Sequence, residues 1–151
     1  MVKRAGRILT GFLILAAMAT SALAETGTPP RVVATYFHRT LRCQTCLHIE
    51  SLARYDVTEV MASDMEAGQL EWRLVNFEEE ENAHFEEEFG LDGPSLVITL
   101  EDGDGVFKWV RMDRVWEIYD DVEAFDAYVL GTLEEYLLAA SEIVAEGLTT
   151  H

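Results

Sequence analysis

The chain has 151 residues, about half of them apolar, which is enough for one well-buried core and too little for two. Its net charge of −17 sets it against nucleic acid and anionic membrane surfaces, because an acidic domain repels both. Only two cysteines occur, so a multiply stapled disulfide scaffold and a four-cysteine zinc site are excluded.

The first 24 residues read as a secretory signal peptide. Lys3, Arg4 and Arg7 precede an uncharged run from Ile8 to Ala24, which closes on the small-residue pattern Ala22-Leu23-Ala24. Cleavage after Ala24 would remove three basic side chains and no acidic one, leaving a domain of about −20. An uncleaved anchor is the competing reading, since 17 uncharged residues sit at the lower edge of a bilayer span. With the leader removed, the expectation is an exported protein, periplasmic or extracellular, without a membrane anchor. Residues 25–30 form a short polar linker, and residues 31–146 should be the folded domain.

Arg31 to His38 is rich in β-branched and aromatic residues without strict alternation, the pattern of a strand buried on both faces. A loop from Arg39 to Arg42 leads to the cysteines. Ile49, Leu52, Ala53, Val57, Val60 and Met61 then recur at helical spacing, so the cysteines open a helix that ends near Gly68. Leu70 to Phe77 alternates as a second strand, and strand, helix, strand implies a parallel crossover. The acidic stretch from Glu78 to Gly90 carries Phe85 and Phe89 at i, i+4 and predicts a short helix on the sheet. Its glutamates lack the spacing of a cation loop and read as a solvated face.

Pro94 to Leu100 and Val106 to Met112 are the third and fourth strands, joined by a tight hairpin at Asp102-Gly103-Asp104-Gly105. Asp120 with Glu123 resembles a capping pair. The last helix then carries Val122, Phe125, Val129, Leu133, Leu137, Ala140 and Val144 on one stripe. The sum is an α/β domain with a central four-stranded mixed sheet flanked by helices.

Cys43 and Cys46 carry the chemistry. A bridge across two residues closes almost no loop and restricts the unfolded chain little, so its purpose is chemical rather than structural. At a helix start, unpaired backbone N–H groups and the macrodipole favour a thiolate at Cys43, and Arg42 and Arg39 add positive charge nearby. Cys46, one turn further in, would resolve a mixed disulfide formed at Cys43. His38 is a weaker candidate for proton handling. Two other readings stay open: Cys43 and Cys46 with His48 or His38 binding a soft metal ion such as copper or zinc, or the thiols alone taking arsenite; and an accessory domain with a structural disulfide. Each histidine taken singly reads first as locally hydrogen bonded. Covalent haem is excluded, because Leu47 stands where histidine is required.

A strand, a CxxC at a helix start, a crossover strand and a proline opening an antiparallel strand at Gly93-Pro94-Ser95-Leu96 together resemble the thioredoxin superfamily. The resemblance implies a thioredoxin-like fold over about residues 31–140. It also implies a cis Pro94 lying beside Cys43 in the substrate groove, a protein thiol or disulfide as partner, and no cofactor beyond the redox-active disulfide. Three departures stand out. Arg42 replaces the aromatic residue before the motif, Gln44-Thr45 replaces Gly-Pro, and the strand ending at His38 carries no carboxylate. The segments Tyr36 to Glu50 and Gly93 to Val97 further resemble a small exported family labelled nitrophenyl-compound nitroreductase subunit ArsF. Nothing in the chain looks like a flavin or nicotinamide site, so that label does not imply nitroreductase chemistry.

Overall fold

The computed structural model describes residues 28–149. The leader predicted over residues 1–24 therefore lies outside the described residues. Four strands, β1 (Arg31–His38), β2 (Leu70–Asn76), β3 (Ser95–Asp102) and β4 (Gly105–Arg111), form one sheet in the order β2-β1-β3-β4. β1 runs parallel to β2, with Val32 opposite Leu70 and His38 opposite Asn76. It runs antiparallel to β3, and β3 to β4, so the sheet is mixed. The helices are α1 (Gln44–Tyr55), α2 (Ala62–Glu66), α3 (His84–Glu88), α4 (Val115–Ile118) and α5 (Val122–Thr149).

β1 is buried on both faces from Val32 to Phe37, as its β-branched and aromatic residues suit, and its alternation divides the interior in two. Val32, Ala34 and Tyr36 face a larger core with Ile49 and Ala53 of α1 and Phe125, Val129 and Leu133 of α5. Phe37 faces a smaller one with Phe77, Phe89, Leu91 and Val97. Near the start of β1, Arg31 and Arg73 both reach Glu101, at 3.2 and 2.6 Å. Glu71 also binds Arg73, whose guanidinium holds the Glu71 carboxyl below its ordinary range. The buried Glu101 charge is thus met from two strands.

Four local expectations are corrected. First, the helix that begins at the cysteines is interrupted, because Asp56–Val60 forms a π turn, closed by Met61 N–H donating to the Asp56 carbonyl at 3.0 Å. It resumes as α2 and stops at Gly68, which adopts φ +72° while Gln69 N–H returns to the Asp64 carbonyl. Second, the acidic stretch is not one helix. The Asn82 amide donates to the Asn76 carbonyl at 3.0 Å, which fixes a 3-10 turn over Glu80–Asn82 ahead of α3. Third, the cap of α5 is Asp121 rather than Asp120, its carboxylate accepting from Ala124 N–H at 3.1 Å. Fourth, the α5 stripe is shorter than its periodicity suggests. Val122 and Val144 are exposed, while Tyr136 is buried.

Candidate redox site

Cys43 and Cys46 form a disulfide with a Cα separation of 5.0 Å. Cys43 is the N-cap of α1, and its sulfur accepts from Cys46 N–H at 3.0 Å. The extended backbone at Cys43 leads out of β1 and turns the chain into the helix, leaving Cys43 exposed and Cys46 only 6% exposed. Beneath them, the Tyr36 hydroxyl donates to the Cys46 carbonyl at 2.9 Å, tying the first turn of α1 to the central strand. Burial pushes the Tyr36 phenol up to about 12, against the opposing pull of Arg42. Tyr36→Phe is therefore expected to cost about 1 kcal/mol of stability in the oxidised protein, the usual net worth of one such bond. An unchanged urea midpoint would remove Tyr36 as a tie of this turn.

The other predicted site residues divide. Arg42 lies against α1 and forms an ion pair with Glu50. Arg39 turns away from the cysteines: its guanidinium donates to the Asp92 carbonyl at 3.0 Å and sits over the Phe77 ring. His38 Nδ1–H donates to the carbonyl of Arg39 at 2.9 Å, and His48 Nε2–H to the carbonyl of Tyr119 at 3.1 Å. Both histidines thus have local partners. Among the described residues no group of three or more His, Cys, Asp or Glu side chains is placed to hold a metal ion, and the two cysteine sulfurs are joined to each other.

Pro94 follows Gly93 through a trans bond, since no peptide bond among the described residues is cis. This corrects the expectation drawn from the thioredoxin resemblance. The carbonyl of Pro94 accepts from the Trp116 indole N–H at 3.2 Å. Sequence reasoning missed what sits behind that bond: α4, a four-residue helix between β4 and α5. Trp116 ties it to the Pro94 loop, and the Tyr119 carbonyl ties the following residues to His48 on α1. The half-buried aromatic pair Trp116 and Tyr119 was the available signal, but so short a helix has too few turns to show a period. Leu41, 90% exposed, and Leu47, 44% exposed, flank the disulfide on the solvent side.

No protein-family model matches the chain, and no curated protein does. Among solved structures it is similar to the solution structure of a thioredoxin from Thermus thermophilus, with a TM-score of 0.32 and 15% identity over 61% of this chain and 73% of that one.

Proposed function

We propose that the protein is an exported thiol–disulfide oxidoreductase in which Cys43 is the nucleophile and Cys46 the resolving thiol. The observation that supports this best is the unequal exposure of a disulfide set at a helix start, with Cys43 open to solvent and Cys46 buried behind it. Cys43 is the sulfur more open to a protein partner, and the helix start offers backbone N–H groups to its thiolate. In the reducing direction the Cys43 thiolate attacks a partner disulfide, forming a mixed disulfide and releasing one partner thiolate. Cys46 gives up its proton and attacks the Cys43 sulfur, which expels the second partner thiolate. The partner gains two electrons and the protein returns to the Cys43–Cys46 disulfide.

Pro94, held by Trp116, forms the far wall of the groove in this reading, and Leu41 and Leu47 supply apolar contact to a partner chain. Of the charged residues proposed for thiolate stabilisation, Arg42 is the one the reading retains. Arg39 and His38 have their side chains committed elsewhere. Export rests on the leader pattern, and the closer resemblance to the ArsF-labelled family rests on residues 36–50 and 93–97.

Insulin reduction driven by dithiothreitol tests the reading. The wild-type protein should accelerate it, Cys43→Ser should abolish the acceleration, and Cys46→Ser should accumulate a mixed disulfide visible by mass spectrometry. If Cys43→Ser traps the mixed disulfide and Cys46→Ser does not, the two roles are reversed. Full activity in the double Cys→Ser variant would reduce the bridge to a structural one.

A further inference from the structure

We propose that Glu50 neutralises Arg42 and so sets the redox poise of the Cys43–Cys46 couple, the two side chains acting as a charge pair of opposite influence on the thiolate. The inference rests on the oxidoreductase reading and assigns a role to a residue that reading does not use. Cys43, Cys46 and Glu50 fall at i, i+3 and i+7, so they share one face of α1. Glu50 lies one turn, about 6 Å of helix rise, beyond Cys46. Arg42 stands immediately before the N-cap, and its guanidinium meets the Glu50 carboxylate. The ion pair therefore links the residue before the N-cap to the second turn of the cysteine-bearing face of α1.

Two further observations place the pair where its charges act. The side chains of Arg42 and Glu50 are only 22% and 13% exposed, so solvent screens them weakly. The charge of Arg42 also reaches the Tyr36 hydroxyl, the same group that donates to the Cys46 carbonyl. A lone arginine beside Cys43 would favour the thiolate and make the disulfide easier to reduce. Paired with Glu50, that charge is largely cancelled, and the Arg42 Nε–H is left buried without a hydrogen-bond partner. Glu50 and Arg42 touch no reacting sulfur as catalytic groups; they are positioning residues that act through the local potential.

The chemistry read out is simple. Glutathione supplies two electrons as two thiols become one disulfide, and the Cys43–Cys46 bond breaks to a Cys46 thiol and a Cys43 thiolate or thiol. Removing either partner should move this equilibrium in opposite directions. Glu50→Gln leaves Arg42 uncancelled, so the glutathione equilibrium should shift about tenfold toward the dithiol, about 30 mV, and the Cys43 pKa should fall by about one unit. Arg42→Met leaves Glu50 uncancelled, so both quantities should move the other way by similar amounts. The double variant should return to within about threefold of wild type, because both charges are gone.

The experiment is a glutathione redox titration of the four proteins, together with the pH profile of Cys43 alkylation by iodoacetamide. Shifts of opposite sign that cancel in the double variant support the proposal. Shifts of the same sign, or none above about twofold, overturn it, since a merely structural pair would disturb both variants alike. Should Glu50→Gln fail to fold around its buried unpaired guanidinium, the comparison of Arg42→Met with the double variant decides instead. Adding Glu50→Gln must then reverse the Arg42→Met shift, and a failure to reverse it overturns the proposal. Insulin reduction by the same proteins separates the two claims. Opposite shifts in proteins that do not exchange disulfides overturn the oxidoreductase reading alone, and normal exchange without shifts overturns the tuning alone.

Discussion

Replacing Phe125 by alanine is expected to destabilise the protein by about 3–5 kcal/mol, enough to unfold a domain of ordinary stability at modest urea. Phe125 is 0% exposed and sits in the larger core, where α5 meets β1, β3 and the cysteine-bearing helix. Deleting its ring removes the transfer free energy of a whole aromatic side chain and leaves a cavity that Val129 and Leu133, each within 1% of full burial, have little freedom to fill. The control lies on the same helix. Val144 belongs to the same sequence period but is 40% exposed, so Val144→Ala should stay within about 0.5 kcal/mol of wild type. Equal losses at the two positions, measured by urea unfolding of the oxidised proteins, would contradict the way the helix is seated on the sheet.

Asp56→Asn should stabilise the protein at pH 8 by about 2–4 kcal/mol and do much less near pH 4. Asp56 is 0% exposed inside the π turn, and no basic side chain among the described residues forms an ion pair with its carboxylate. Burial first, and then the negative charge of Asp126 on α5, push its pKa from 3.8 up to about 7. A carboxyl raised in the folded state favours folding while it is protonated. Its favourable contribution is complete below the unfolded pKa near 4, falls as pH rises, and is gone above about 7, where folding must bury the charge. Asparagine carries no charge at any of these pH values, so the difference between variant and wild type should widen across that window. Asp126→Asn should give a smaller change of the same sign, because it removes the influence of Asp126 but leaves the burial, which is the largest cause. A stability difference for Asp56→Asn that is the same at pH 4 and pH 8 would show that Asp56 does not titrate with folding.

Much of this architecture is written locally. The β-branched run Arg31 to His38 gave a strand with the observed bounds, because a strand buried on both faces needs apolar residues at consecutive positions. The start of α1 at the cysteines followed from the periodic residues behind them, and the hairpin from the aspartate–glycine run that Gly105 closes at φ +134°. Strand, helix, strand then left a parallel pairing of β1 with β2, since a helix-length connection brings the chain back in the same direction. The cysteine pair needed no tertiary information at all, as two residues of separation already place both sulfurs on the first turn of one helix.

The rest depended on contacts between residues far apart in sequence or between turns that carry no periodic mark. No pattern in Val115 to Ile118 announces a helix, yet its tryptophan holds the Pro94 carbonyl 22 residues away. The π turn at Asp56 hides inside a helical period, because a single extra residue barely disturbs the apolar spacing. Arg39 and Arg42 are equivalent as basic residues before the motif. Only the fold sends one guanidinium to the Asp92 carbonyl and the other along α1 to Glu50. By itself the sequence determined the cysteine pair, its place at a helix start and the mixed sheet, all consequences of short-range geometry. The tertiary structure alone decided which charges and aromatic side chains surround that pair, because their positions follow from packing between elements rather than from spacing within one.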